Sequence, residues 1–167
     1  MSDLYSELLV KKDQTIVDKL VRGGMITLVV LCALAGILLM PLLLFAAMIL
    51  GIAAYFILPY TDLEFEYLFI TGDLEVTKIM AKSKRKKLKT IKLSECDLMA
   101  PLNSHRLDYY NGNQKLKVVD YSSGNSEHKR FAIIARDGAD TCKFIFEPDE
   151  ALAKTMRNSA PSKVFLD

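Results

Sequence analysis

The 167-residue sequence has few of the residues from which catalytic and metal sites are commonly built. It contains three cysteines, Cys32, Cys96 and Cys142, without a CxxC spacing, and only two histidines, His105 and His128. A disulfide framework and a zinc site are therefore not expected, and this cysteine usage is typical of a reducing, cytosolic environment. We predict that the three thiols are structural and that the protein uses no cofactor and no metal.

Motifs for catalysis are also missing, since the chain has no glycine-rich phosphate loop, no HExxH and no GxSxG. Glu64 and Glu66 share one face of a predicted strand, but we expect them to be solvated carboxylates at a sheet edge rather than a catalytic pair. No nucleophile with a base is identifiable, so we predict that the protein is not an enzyme. The net charge of +2 gives no overall field that would attract nucleic acid.

The most informative absence is that of charge in residues 24–60, where 37 consecutive positions carry no Asp, Glu, Lys or Arg. A helix of that length would measure about 55 Å, against about 30 Å for the hydrocarbon core of a bilayer. The block therefore predicts a two-span hairpin, 24–40 and 42–60, divided at Pro41, because proline interrupts a helix. A re-entrant hairpin that does not cross fully is the alternative.

Small residues recur at four-residue spacing in both predicted spans: Cys32 with Gly36, and Ala47 with Gly51. Such pairs let two helices approach closely in lipid, although alanine and glycine also fill apolar helices without any such role. We predict helix packing at these four positions. A cleaved signal peptide is disfavoured, because strong hydrophobicity continues well past the only cleavage-like segment, residues 33–35.

Basic residues flank the apolar block on both sides, whereas the turn at Pro41 carries no charge. The positive-inside rule then predicts a multi-pass protein of the cell membrane with both termini in the cytosol. Residues 2–22 have an imperfect apolar stripe and predict an amphipathic helix, so that 1–23 forms a juxtamembrane region.

The pattern changes to alternation after residue 61. Phe65, Tyr67 and Phe69 occupy every second position, and Thr71-Gly72-Asp73 is a tight-turn signal. Further strands and turns follow, and residues 148–158 predict a helix that opens with proline and acids. Residues 61–167 therefore predict a cytosolic, mainly antiparallel β domain with a C-terminal helix, and the fold class is α+β.

Three segments carry a resemblance to a known family: MSDLYSELLVKKDQTIVDKL, EFEYLFITGDLEVTKIMAKSKRKKLKTIKLSE and FIFEPDEALAKTMRNSAPSKVF. Nearly the whole chain resembles small, uncharacterised two-span membrane proteins of Gram-positive bacteria with a pleckstrin-homology-like cytosolic domain. The resemblance implies a curled antiparallel sheet plugged by the terminal helix. It implies no activity and no ligand.

One polybasic run stands out, with seven cations in the eleven positions 82–92: Lys82, Lys84, Arg85, Lys86, Lys87, Lys89 and Lys92. We predict that it is a loop of a hairpin that returns close to the bilayer. Such a loop could be a solvated topology signal, a contact for anionic lipid headgroups or a contact for an acidic protein. Nucleic acid is disfavoured, since the run lacks interleaved aromatic residues for base stacking.

These observations predict a non-catalytic, membrane-anchored scaffold or interaction module whose basic loop faces anionic lipid. The alternative is an accessory subunit of a larger membrane complex, in which the loop binds an acidic part of another membrane protein. A stand-alone transporter is not expected, because the spans contain no charged residue.

Overall fold

A computed structural model describes residues 5–113, 116–138 and 140–167 of the chain. The fold is α+β, with two apolar helices near the N-terminus, mainly antiparallel sheets and a C-terminal helix. In chain order the elements are β1 Tyr5–Lys11, α1 Ile16–Leu38, α2 Leu42–Ile57, β2 Leu63–Ile70, β3 Asp73–Met80, β4 Lys84–Lys92, β5 Leu98–Pro101, α3 Asp108–Asn111, β6 Lys117–Asp120, β7 Phe131–Asp137, β8 Asp140–Phe146 and α4 Glu150–Ser159. Short 3-10 turns lie at Leu58–Thr61 and His105–Leu107.

The chain divides into two compact units. The β unit contains β1, the segment Glu64–Ile79 and the segment Arg85–Asp167. The hairpin unit contains Asp13–Leu63 and the short segment Met80–Lys84. Each unit is described separately below.

Two four-stranded sheets form the β unit, with strand orders β1-β2-β3-β4 and β5-β7-β8-β6. β1 runs antiparallel to β2, so that Tyr5 lies opposite Ile70 and Lys11 lies opposite Glu64. β7 is antiparallel to both β5 and β8, whereas β6 runs parallel to β8. The predicted antiparallel domain is therefore confirmed, with one parallel pair that the turn pattern did not indicate.

The core of the β unit is built from the alternating residues of β2. Phe65, Tyr67 and Phe69 are buried, and they belong to one apolar cluster with Phe144 and Phe146 of β8. Helix α4 adds its apolar face to the same cluster through Leu152 and Met156. The helix begins where Asp149 accepts a hydrogen bond from the amide of Leu152 at 2.7 Å, a typical N-terminal cap. The predicted terminal helix is thus confirmed.

The hairpin unit consists mainly of α1 and α2, which are separated near Pro41 as predicted. The amide of Leu39 still donates to Ala35, and α2 begins directly after the proline. By length and composition, Ile16–Leu38 and Leu42–Thr61 could each cross a membrane. Only 6% and 11% of their most apolar windows are buried. Such shares are low for core helices of a water-soluble protein, which are mostly buried.

The predicted amphipathic helix over residues 2–22 is wrong. Residues 5–11 form β1, and only the part from Ile16 onward is helical; residues 2–4 lie outside the described residues. Leu8 and Val10 pack against the core on alternate positions, which is the strand period, and pairing with β2 satisfies the backbone. The apolar hairpin is therefore inserted between two neighbouring strands of one sheet.

Candidate interaction surface

The basic run lies mostly in a strand, so the prediction of a loop is wrong. β4 takes up Lys84–Lys92, and the connection to β3 is a tight turn in which the amide of Ser83 donates to Met80 at 3.2 Å. The two residues within the turn, Ala81 and Lys82, have φ angles of 47° and 56°. Because the turn needs only these two residues, most of the basic run is left to form β4. Exposed lysines are common on such a strand at the edge of a sheet.

Carboxylates of the same unit compensate four of the seven cations. The pairs are Arg85 with Glu66 at 3.1 Å, Lys87 with Glu75, Lys89 with Asp137 at 2.5 Å, and Lys92 with Glu95 at 3.0 Å. Lys89 holds the pKa of the Asp137 carboxyl below its ordinary value through a hydrogen bond and its charge. Each exposed pair contributes little to stability, but together they reduce the positive field of the run.

The remaining cations lie toward the beginning of β4. Lys84 places its Nζ atom 5.6 Å from the centre of the Tyr55 ring, within the hairpin unit. Within the described part of the chain, Lys82 and Lys86 form no ion pair. The uncompensated charge of the run is therefore concentrated at its N-terminal end.

Glu64 and Glu66 are not the solvated edge carboxylates that the sequence predicts. They are only 8% and 9% exposed, because β2 lies between β1 and β3 rather than at an edge. Arg85 accounts for the burial of Glu66, since a buried carboxylate needs a charged or hydrogen-bonding partner. Both glutamates therefore lie in the interior of the sheet.

A cleft of about 530 Å³ lies at the far end of β4, within the β unit. Four cations line it, together with two carboxylates: Lys89, Lys92, Arg136, Lys163, Glu95 and Asp97. Lys163 donates to the carbonyl of Ser94 at 2.5 Å, and burial raises the pKa of the neighbouring Cys96 thiol. Sequence reasoning missed this cleft, because its residues come from segments far apart in the chain.

A polar network links the segment after β6 to the end of β8, and it too was absent from the sequence prediction. Ser123 donates its hydroxyl to Glu147 at 2.5 Å, and Nδ1 of His128 lies 2.6 Å from the other oxygen of that carboxylate. Ser123 and His128 therefore both contact Glu147 rather than each other, and these contacts tie their segment to the end of β8. Among the described residues, no three His, Cys, Asp or Glu side chains could hold a metal ion.

A family model described as Bacterial PH-like domain (DUF6106) matches residues 2–166. The chain belongs to this family. Because the match runs through the apolar hairpin as well as the two sheets, both units are parts of the PH-like family's sequence pattern. Comparisons with curated proteins and with solved structures found no match. The family description supplies the fold and leaves the function open.

The hairpin of this PH-like protein brings its two helices together at Gly36. A Cβ atom added there would lie 2.9 Å from the backbone nitrogen of Leu44, so only glycine fits this approach. Ala47 is also buried and Cys32 is half-buried, whereas a Cβ atom added at Gly51 would meet nothing within 4 Å. The four predicted packing positions are therefore not equivalent, and Gly36 is the most constrained of them.

Proposed function

We propose that this PH-like protein is a non-catalytic interaction module anchored in the cell membrane by its hairpin. The observation that carries the proposal is the pairing of β1 with β2. The segments before and after the hairpin join as neighbours in one sheet, so both must lie on the same side of the membrane. Two helices of sufficient length supply the two crossings that this arrangement requires.

The charge distribution supports the cytosol as that side. Lys11, Lys12, Lys19 and Arg22 precede the charge-free block, and Lys78 and the basic run follow it. The connection at Pro41 has no charged residue that would hold it in the cytosol. We therefore propose that the β unit and both termini lie on the cytosolic face.

Anionic lipid is the partner that the uncompensated cations favour. Lys82 and Lys84 belong to the hairpin unit, and Lys84 lies over Tyr55 near the end of α2. Tyrosine side chains are enriched at membrane interfaces, so these cations would lie at the depth of the headgroups. Each would add roughly 1 kcal/mol of attraction to an anionic surface. Because the hairpin already anchors the chain, this attraction orients the module rather than recruiting it.

An acidic segment of another membrane protein is the second candidate partner. It is favoured by the position of β4, which is the terminal strand of its sheet. Such a strand can accept an added strand, and Lys84 and Lys86, which form no ion pair within the described residues, would favour acidic side chains. In that case the protein is an accessory subunit of a larger complex.

Two experiments on the full-length protein test this proposal. After alkaline carbonate treatment of membranes, we expect the protein to remain in the pellet, since two spans hold it in the bilayer. Recovery in the supernatant would contradict membrane anchoring. Purification after gentle solubilisation then distinguishes the partners: a stoichiometric protein supports the accessory subunit, and lipid alone supports the interaction module.

A further inference from the structure

A cavity of about 320 Å³ lies within the hairpin unit, between residues of both helices and the turn before β4. Its volume is in the range of small-molecule sites. Its walls come from the start of α1, the end of α2, the 3-10 turn after α2 and the turn that precedes β4. The residues that matter for the argument are Arg22, Ile26, Tyr55, Leu58, Ser83 and Lys84.

The charge of the cavity favours an anion. Arg22 and Lys84 enter it from two different elements, and neither forms an ion pair with any residue of 5–113, 116–138 or 140–167. Asp62 also lines the cavity, so the lining carries two positive charges and one negative charge. Ser83 adds a hydroxyl group, which can donate to a phosphate oxygen.

The apolar part of the cavity favours a lipid over a free anion. Ile26, Leu58 and the ring of Tyr55 form this part, and Ile26 and Tyr55 are themselves exposed on the helix surface. Arg22 lies two positions before the charge-free block, and Leu58 lies close to its end. With the hairpin inserted as proposed above, the cavity would lie at headgroup depth, where a phosphate can meet the cations and an acyl chain can continue along the helices.

The turn before β4 holds the cationic wall in place at a conformational cost. Ala81 and Lys82 have left-handed backbone angles, which are unfavourable for residues other than glycine. The amide of Ala81 donates to the carbonyl of Asp62 at 2.9 Å, which ties the turn to the end of the hairpin. Positive φ angles at both central residues are typical of two-residue hairpin turns, and this turn fixes the positions of Ser83 and Lys84 beside the cavity.

We propose that this cavity binds the phosphate headgroup of an anionic phospholipid, an inference that rests on the membrane insertion proposed above. Arg22 and Lys84 contact the phosphate, Ser83 donates to it, and Tyr55 and Ile26 contact the start of an acyl chain. This site is distinct from the cleft at the far end of β4, and it holds one lipid rather than a diffuse layer.

The test uses delipidated, full-length protein in mild detergent, mixed with phosphatidylglycerol or with phosphatidylcholine. Native mass spectrometry should show one retained phosphatidylglycerol and much weaker retention of phosphatidylcholine. The double variant Arg22→Gln/Lys84→Gln should weaken that retention about 10- to 30-fold, because two headgroup contacts are lost. The matched control, Lys19→Gln/Lys86→Gln, removes one cation from each of the same two elements outside the cavity and should retain the lipid.

Three results overturn the inference. The first is equal retention of the two lipids by the parent protein, and the second is an equal loss in the control and the cavity variant. Displacement of the lipid by excess inorganic phosphate also overturns it, since the cavity would then be a site for a soluble anion. A second measurement needs no variant: phosphatidylglycerol should raise the melting temperature of the parent protein more than phosphatidylcholine does. If carbonate treatment leaves the protein in the membrane while these results are negative, the anchoring role stands and only the lipid site fails.

Discussion

The hydroxyl group of Tyr67 connects three segments of the β unit. Its ring is fully buried and lies edge-on to Phe146, with the ring centres 5.8 Å apart. The hydroxyl donates to the carbonyl of Tyr121 at 2.6 Å and accepts from the amide of Glu147 at 3.4 Å. One side chain on β2 therefore satisfies backbone groups at the ends of β6 and β8.

Replacing Tyr67 with phenylalanine should lower the free energy of unfolding by about 1–2 kcal/mol, because two backbone groups lose a partner in a buried region. Chemical unfolding of the full-length protein in detergent, followed by tyrosine fluorescence, measures this change. Tyr5→Phe is the control, since the Tyr5 ring is exposed and its hydroxyl donates to the exposed carboxylate of Glu7. Equal losses in the two variants would show that the buried hydroxyl has no special role.

Alkaline pH should destabilise the protein through the same residue. Burial raises the pKa of the Tyr67 hydroxyl, so the folded state keeps this proton at a pH where the unfolded chain loses it. The stabilising contribution is complete below about pH 10, the ordinary pKa of tyrosine, and is lost as pH rises toward the folded value. Melting temperatures between neutral pH and pH 11 should therefore fall more steeply for the parent than for Tyr67→Phe.

The turn between β2 and β3 has an unusual backbone conformation. Thr71 and Gly72 have φ angles of 51° and 93°, so both are in the left-handed region. A β-branched residue is unfavourable there, whereas the pair Asn-Gly suits such a turn. Thr71→Asn should raise the free energy of unfolding by about 1 kcal/mol. Thr71→Ala should raise it by less, because alanine is also unfavourable in the left-handed region. An unchanged value for Thr71→Asn would contradict the assigned strain.

The close approach of α1 and α2 at Gly36 makes the stability of the hairpin sensitive to a larger residue at that position. Gly36→Ala should destabilise the hairpin by about 1–3 kcal/mol, because the new methyl group meets the backbone of Leu44. Gly51→Ala makes the same chemical change where a Cβ atom meets nothing within 4 Å. Because alanine has a higher helix propensity than glycine, this variant should be as stable as the parent protein or more stable. Thermal unfolding in mild detergent compares the two variants. A loss at both positions would point to helix flexibility rather than to packing.

Elements encoded by local pattern were predictable from the sequence, whereas pairings over long distances were not. The turn at Gly72, the break at Pro41 and helix α4 depend on neighbouring residues, and all three are where the sequence placed them. β1 was missed because its apolar residues fit a helical stripe as well as an alternation, and only pairing with β2 decides between them. The ion pairs of β4 were missed for the same reason, since Glu66 and Asp137 lie on other strands.

The pairing of β1 with β2 predicts how deletions in the hairpin affect folding of the β unit. If the hairpin crosses the membrane twice as proposed, removing residues 42–60 leaves one span, so β1 and β2 would lie on opposite sides of the membrane and could not pair. We expect such a protein to be degraded, or to expose the edge of β2 to proteases. Replacing residues 12–63 with Asn-Gly instead joins Lys11 directly to Glu64, its partner across the sheet, by a two-residue turn.

The shortened protein should be water-soluble and folded, with the β-rich circular dichroism expected of two four-stranded sheets. Limited proteolysis and sedimentation compare it with the one-span variant. If both variants are equally stable, the strands on either side of the hairpin do not depend on each other, and the two-crossing arrangement loses its main support.

The insertion of the hairpin between β1 and β2 also sets the order of events during synthesis. β1 leaves the ribosome before its partner β2, which follows only after residues 12–62 have been made. At about 5–20 residues per second, β1 waits roughly 3–10 s before it can pair. In the membrane-anchored arrangement proposed above, the two helices would enter the bilayer during that time and bring their ends back to one side. In that arrangement, completion of the first sheet would report successful insertion. A chain whose hairpin fails to insert would keep an open strand edge that quality-control proteases can recognise.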